Sequence, residues 1–371
     1  MSTPLTQLPP MDVAGRTARL RGRFEPEDID ALLVTRLPNV RYLTGFSGSA
    51  AVLLVGPDEI VFVTDGRYAE QAADQLDAAG LPARIEVRAS QAGQRGVMRD
   101  AADGYGRLGL EAHGVTWAQQ RAFATDWFAD AELVPTENLV EDLRRVKEPA
   151  EVARIHSACA IADAALGVVA PRLAEGPTER DVALWLEVEM RDRGATGTSF
   201  DTIVASGPNG AKPHARPSDR SIAAGEPIVI DFGCVVDGYC SDMTRTLSVG
   251  NPGVEARRVY EVVRDAQQWG RNAVSAGVDC AQVDKACRDV IDAAGWGDAF
   301  VHGTGHGVGL EIHEAPRVAA TARDTLATGY VVTVEPGVYL PGTGGVRIED
   351  TVVVTDDGAE VLTRFPKDFL L

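Results

Sequence analysis

Four carboxylates written into apolar, strand-like segments constrain this chain more than anything else in its sequence. Asp231 sits in Ile228-Val229-Ile230-Asp231-Phe232-Gly233, with Asp242 eleven positions later. Glu335 follows Tyr330-Val331-Val332-Thr333-Val334, and Glu349 lies in Gly345-Val346-Arg347-Ile348-Glu349-Asp350. Burying a lone carboxylate in such a strand costs several kcal/mol, or raises its pKa until it is neutral, unless it is paired or binds a metal. One such acid is an ordinary strand-end residue. Four of them, with His306 in a glycine-rich run, predict a metal site.

The spacing of the acids sharpens this. Asp231 and Asp242 are symmetric about a point between Val236 and Asp237, beside the turn signal Asp237-Gly238. A hairpin there sets the two acids opposite or nearly so, with Cβ atoms about 5 Å apart. Glu335 and Glu349 are symmetric about Gly342, inside Pro341-Gly342-Thr343-Gly344-Gly345. Two hairpins therefore each present a carboxylate pair. Like charges that close repel, and a divalent cation relieves them. Four carboxylates and one imidazole suit two hard or borderline divalent ions bridged by shared carboxylates. No thiolate belongs to the set, which excludes a structural zinc site.

The glycine-rich run extends from His302 to Glu314 and delivers three of the six histidines, His302, His306 and His313. Val308 or Leu310 replaces the third glycine of a dinucleotide loop, no Gly-Lys-Ser/Thr follows as in a Walker loop, and the H-E-x-x-H pattern is absent. The glycines instead let backbone approach a crowded centre. His214 lies in the loop Gly207-Pro208-Asn209-Gly210-Ala211-Lys212-Pro213-His214, which can carry it into a cleft. Arg347 shares a strand face with Glu349 by period two, where it orients that carboxylate, forms a plain ion pair or binds a substrate terminus.

The remaining sequence reads as scaffold. Apolar runs over 31–34, 50–55 and 59–63 alternate with turn signals, and a helix from Arg67 to Ala79 ends at Gly80. Residues 1–145 are expected to form an α/β domain. The charged stretch Arg144-Arg145-Val146-Lys147-Glu148-Pro149 opens a second domain over 146–371, with Pro149 in a first helical turn and Glu148 and Glu151 at the positive end of the helix dipole. Val152, Ile155, Cys159, Ala162, Leu166 and Val169 give that helix one apolar face. Helices over 179–193, 254–275 and 280–294, with strands near 200–206, 228–248 and 330–356, make the second domain α+β with a largely antiparallel sheet.

Composition excludes more than it identifies. A net charge of −18 argues against nucleic acid and anionic membranes as partners, because both recruit a basic surface. The segment Met1 to Asp12, with Pro4, Pro9 and Pro10, has no apolar core of a secretory signal, and no stretch is expected to approach the roughly 18 apolar residues of a membrane span. The five cysteines lack a zinc or redox spacing and read as free thiols in a reducing compartment. The expectation is a soluble cytoplasmic protein.

At these residues the chain resembles the pita-bread metallopeptidases, in the branch of Xaa-Pro aminopeptidases (aminopeptidase P) and prolidases. Asp231-Phe232-Gly233 with Asp242, the His302-to-Glu314 run, Val334-Glu335-Pro336-Gly337 and Gly345 to Asp350 carry the likeness. Asn39-Val40-Arg41-Tyr42-Leu43-Thr44-Gly45-Phe46 and Thr64-Asp65-Gly66-Arg67-Tyr68 resemble the smaller creatinase-like amino-terminal domain of the same branch. The resemblance implies that Asp231 chelates one ion, Asp242 and Glu349 bridge both, and His306 and Glu335 bind the other. It implies Mn²⁺ or Co²⁺, less often Zn²⁺ or Fe²⁺, and a substrate site lined by His214, His302 and His313.

Two-metal hydrolysis follows as the expected reaction, with Glu335 taking the water proton and His313 steadying the oxyanion. Removal of the amino-terminal residue before proline from small peptides is the expected activity. A prolidase restricted to dipeptides is the main alternative. A methionine aminopeptidase, a metal-free creatine hydrolase and a non-catalytic binding module of the same fold are more remote, and a homodimer is implied.

Overall fold

The computed structural model describes residues 8–371; the first seven residues, Pro4 among them, lie outside the described residues. The chain divides into two compact units, one over Pro10–Arg144 and one over Arg145–Leu371 that also takes in Pro9.

In the first unit, β1 (Ala31–Val34), β2 (Ala51–Val55), β3 (Ile60–Thr64), β4 (Arg84–Val87), β5 (Arg107–Glu111) and β6 (Glu132–Thr136) form one mixed sheet in the order β4-β3-β2-β1-β5-β6. Strands β1 and β3 are buried along their length and read as continuous apolar runs without alternation, and Leu53 and Leu54 of β2 are buried beside them. Six helices accompany them: α1 (Val13–Arg21), α2 (Leu37–Thr44), α3 (Ala69–Ala78), α4 (Gln91–Ala101), α5 (Trp117–Ala122) and α6 (Glu141–Arg145).

The second unit opens with α7 (Pro149–Val169), whose start is fixed by a reciprocal cap between Glu148 and Glu151 and by Pro149 in the first turn. Of the predicted face, Ile155, Cys159, Ala162, Leu166 and Val169 are buried and Val152 is half-buried, but Ala158, Ile161 and Ala165 are buried too. The helix is therefore apolar nearly all round, as a core helix can be. Over 18 residues Pro149–Glu175 reaches a mean hydropathy of 1.5, long and apolar enough to cross a membrane by composition, which corrects the expectation that no stretch approaches that length. Its side chains instead join a core with α8 (Glu179–Asp192) and the strands below. Helices α9 (Gly253–Ala273) and α10 (Cys280–Ala293) pack on each other and on a second core.

The strands of this unit are β7 (Gly197–Thr198), β8 (Ile203–Ser206), β9 (Ile228–Phe232), β10 (Cys234–Val236), β11 (Tyr239–Cys240), β12 (Met243–Leu247), β13 (Gly305–Gly307), β14 (Glu314–Val318), β15 (Val331–Val334), β16 (Gly337–Leu340), β17 (Gly344–Arg347), β18 (Asp350–Thr355) and β19 (Gly358–Val361). Their ladders are all antiparallel.

Strand alternation then sorts the side chains. Ile228, Ile230, Phe232, Met243 and Leu247 point into the α7–α8 core, and Val332, Val334, Val352 and Val354 into the α9–α10 core. The opposite faces carry Asp231, Asp242, Thr244, Thr333, Glu335, Glu349 and Thr351. Each half of the unit thus presents one acidic pair on the strand face turned from its helices.

The register of the first pair differs from its expectation. Asp231 is opposite Thr244, and Val236 is opposite Tyr239. The two turn residues are Asp237 and Gly238, at φ 45° and 81°, so the symmetry point falls between them. Asp242 is consequently displaced by two positions from direct opposition to Asp231, which keeps it on the same face. The second pair needs no such correction. Val334 is opposite Asp350 and Gly337 opposite Arg347, so one continuous offset sets Glu335 against Glu349 at the break between the ladders.

Candidate metal centre

A cleft of about 700 Å³ in the second unit is lined by Asp231, Asp242, His306, Glu335 and Glu349, and also by His214, His302, His313 and Arg347. One oxygen from each of Asp231, Asp242 and Glu349 lies within 4.8 Å of the other two. His306 Nε2 stands 3.5 Å from Asp242 Oδ2 and 3.4 Å from Glu335 Oε1. Two glycines make the approach possible. A Cβ on Gly305 would fall 2.0 Å from the Thr333 carbonyl, and one on Gly307 would fall 2.4 Å from that of Ala315.

These groups are placed against their own electrostatics. Burial, and then the charges of Glu349, Asp231 and Glu335, push Asp242 well above the usual carboxylate range. Burial and the charges of Glu335 and Asp231 do the same to Glu349. Glu335 is raised by burial to about 7, against the pull of Arg347. Burial also lowers the pKa of His306, which favours its neutral ring. Its Nδ1 lies 3.0 Å from the Gly307 carbonyl and so carries the proton, leaving the Nε2 lone pair aimed at two carboxylates. Among the described residues, buried Asp231 Oδ1 and Glu349 Oε1 have no hydrogen-bond partner. Two orphaned buried oxygens and an imidazole lone pair form a set that divalent cations complete, and the all-oxygen-and-nitrogen donors suit hard or borderline ions.

The surrounding residues fix the acids. Arg347 donates from Nη2 to Asp231 Oδ2 at 2.6 Å, from Nη1 to Tyr339 Oη at 2.8 Å and to the Pro213 carbonyl at 3.3 Å, and from Nε to Thr244 Oγ1 at 3.1 Å. The carboxylate it orients is Asp231, where period two pointed to Glu349, because the β16–β17 ladder ends at Arg347 and Glu349 lies past the break. Glu349 instead accepts from Thr244 Oγ1 at 2.7 Å, and its amide donates to the Thr244 carbonyl. Glu335 accepts from Thr333 Oγ1 at 3.0 Å.

His302 has both ring nitrogens engaged, Nδ1 with the Gly303 carbonyl at 2.7 Å and Nε2 with Tyr339 Oη at 2.8 Å. Burial lowers its pKa to about 4, so it lines the cleft as a neutral ring. His313 stands edge-on to His306 with ring centroids 4.4 Å apart. His214 is exposed at the cleft wall.

Sequence reasoning missed several neighbours. Thr244 and Thr333 share the acidic strand faces, a period-two signal that is readable once the strands are known. Tyr339 gives no such sign. Arg317, an exposed cation lining the cleft, is opposite His306 across β13–β14, but a register irregularity between His306 and Gly307 hides that pairing. Buried Lys147 pairs with Glu314 at 3.1 Å, next to His313.

Fold and site together define a metal-dependent hydrolase of the pita-bread class. Residues 153–356 match the model of metallopeptidase family M24, and residues 16–146 match the creatinase/prolidase amino-terminal domain. An Xaa-Pro dipeptidase of Bacillus anthracis is 40% identical, covering 97% of this chain and 100% of its own, with a TM-score of 0.91. An X-Pro aminopeptidase of Thermotoga maritima is 35% identical over 96% of this chain and 100% of its own, with a TM-score of 0.86. An Xaa-Pro dipeptidase of Pyrococcus horikoshii is 34% identical over 94% of this chain and 96% of its own length. The chain belongs to metallopeptidase family M24, with a creatinase/prolidase amino-terminal domain.

Proposed function

We propose that this chain hydrolyses the bond between an amino-terminal residue and proline, with dipeptides as its substrates, using two divalent ions, Mn²⁺ first among them. The observation that carries the reading is one cleft gathering four acids, His306 and three further imidazoles, with two buried acid oxygens left unpartnered among the described residues. The full-length likeness to Xaa-Pro dipeptidases of Bacillus anthracis and Pyrococcus horikoshii supports the substrate class. Arg317 supports the dipeptide limit, since an exposed guanidinium opposite His306 suits the carboxylate that ends a dipeptide.

Asp231, Asp242 and Glu349 would hold one ion, with Asp242 and Glu349 shared, and His306 and Glu335 would hold the other. Bound there, the ions supply Lewis acidity that acidifies a water and polarises the scissile carbonyl. Glu335 takes the proton of the attacking water and returns it to the departing proline nitrogen, a secondary amine that must be protonated as it leaves. His313 hydrogen-bonds the developing oxyanion. His302, with both nitrogens engaged, offers its ring face to the proline, and His214 holds the substrate or relays the proton. Arg347 acts through Asp231 as a positioning residue.

An Xaa-Pro aminopeptidase acting on longer peptides is the second reading, favoured by the Thermotoga maritima relative and by a cleft with room beyond a dipeptide. Hydrolysis of Xaa-Pro and Xaa-Pro-Yaa peptides by chelated protein, with and without Mn²⁺, separates the two. Cleavage of dipeptides alone supports the first, tripeptide cleavage the second, and no metal-dependent cleavage overturns both. The five cysteines, all buried and in no disulfide, support a reducing cytoplasmic setting. We also read the active species as a homodimer, on the family resemblance; a monomer by light scattering would overturn that.

A further inference from the structure

His214 reaches the cleft on a segment with little cohesion of its own. Between Ser206 and Ser218 the chain carries two glycines, three prolines and only a short 3₁₀ turn over Gly207–Ala211. What fixes it lies outside the cleft. Glu179, the first residue of α8, is wholly buried. Its carboxylate accepts from Ser206 N at 2.7 Å and Oγ at 2.8 Å, from Asn209 Nδ2 at 3.1 and 3.0 Å, and from Ser218 N at 3.1 Å and Oγ at 2.6 Å. The helix start returns the grip, with Glu179 N donating to the Arg220 carbonyl and Arg180 N to that of Ser218.

Among the described residues, none of these donors carries a charge. Burial raises the pKa of Glu179, but the bonds from Ser218, Ser206 and Asn209 outweigh it and leave the carboxyl below its ordinary value. The Arg220 guanidinium, 2.6 Å from Ser206 Oγ, adds a favourable charge just past the segment. A buried carboxylate whose hydrogen bonds come from one segment still ties that segment to a single conformation, since releasing any of them strands part of the charge. The far side of the segment rests on the metal-site hairpin: a Cβ on Gly345 would fall 2.0 Å from the Gly210 carbonyl, and Arg347 binds the Pro213 carbonyl. His214 and Arg216 project from between these two anchors into the cleft wall.

We propose that Glu179 is a positioning residue for the peptidase site, clamping Ser206–Ser218 so that His214 is held at the cleft. The kinetic part rests on the hydrolytic reading above; the structural part does not.

The test uses Glu179→Gln, Ser218→Ala, His214→Ala and the Glu179→Gln/His214→Ala double variant as metal-loaded enzymes. Hydrogen exchange in Glu179→Gln is expected to be about tenfold faster or more at the amides of 207–218, the consequence of losing a buried hydrogen bond, and unchanged in β9, β12 and β15. Metal content stays at the wild-type level. kcat/KM for an Xaa-Pro peptide falls on the order of tenfold, as for supporting contacts around a metal site, and the fall disappears in the His214→Ala background. Unchanged exchange over 207–218, or an equal loss with and without His214, overturns the clamp. Should Glu179→Gln fail to fold, Ser218→Ala decides, with faster exchange supporting the clamp and wild-type exchange overturning it. A wild-type enzyme that cleaves no Xaa-Pro peptide refutes the hydrolytic reading, while the exchange result still judges the clamp.

Discussion

Asp231 and Asp242 stand diagonally on the β9–β12 ladder, whereas Glu335 and Glu349 face each other at the break between the β15–β18 and β16–β17 ladders. Each ladder sets one acid toward the cleft, with side chains 14% exposed for Asp231 and 17% for Glu335, and one deeper, with 7% of the Asp242 side chain and 1% of the whole Glu349 residue exposed. Their supports differ. The outer acid of the first ladder is held by a cation from the second, Arg347, while that of the second is held by a hydroxyl from its own strand, Thr333. The deep acid of the second ladder is held by Thr244, which lies opposite Asp231 in the first. The ties that cross between ladders show that neither half shapes its acids alone. The centre belongs to the joint.

The hardest blow to this comparison is removal of a deep acid. Asp242→Ala is expected to lower kcat/KM by on the order of 10³-fold or more and to abolish metal content, with the circular dichroism of a folded protein retained. Full activity would detach the first ladder from the chemistry. Next comes the cross-ladder cation. Arg347→Met leaves Asp231 and Tyr339 without their buried partner and should destabilise the metal-free protein by about 3–5 kcal/mol in urea melts. A loss below about 1 kcal/mol would mean that Asp231 is not held this way.

Titration sharpens the contrast further. In the metal-free protein Glu335 keeps its proton up to about 7, against 4.5 for an unburied glutamate. Between those values the native state binds more protons than the unfolded state, so this group's contribution makes stability fall as pH rises through the window. His302 acts with the opposite sign: held neutral down to about 4 rather than 6.5, it makes stability fall as pH drops through that range. Metal-free Glu335→Gln should therefore gain on the wild type by roughly 2–3 kcal/mol as pH rises from 4.5 to 7. A difference that stays flat across the window would contradict the raised pKa. The smallest effect belongs to Thr333→Ala, about 1 kcal/mol, because a hydroxyl is all it removes from Glu335. A loss as large as that of Arg347→Met would erase the asymmetry between the ladders.

Much of this was legible because strand alternation is a local rule. Ile228, Ile230 and Phe232 facing one way leave Asp231 no choice but the other, and Val332 and Val334 do the same for Glu335. Symmetry about Gly342 also matched the ladder that sets Glu335 against Glu349. The first ladder departs by two positions from the midpoint of its acids because the left-handed pair at Asp237 and Gly238 sets its register. Partners across ladders were out of reach for a deeper reason. Arg347 meets Asp231 across 116 positions and Thr244 meets Glu349 across 105, so only the folded chain pairs them. Arg317 was hidden by the register slip at His306, and the clamp on the His214 loop by donors spread from Ser206 to Ser218.

If both ladders serve one two-ion centre, as proposed above, an anomalous difference map from crystals grown with Mn²⁺ will show it. Two peaks are expected in the cleft, one against Asp231, the other against His306 and Glu335, with Asp242 and Glu349 touching both. Manganese bound elsewhere, or a single ion held by one ladder alone, would contradict it.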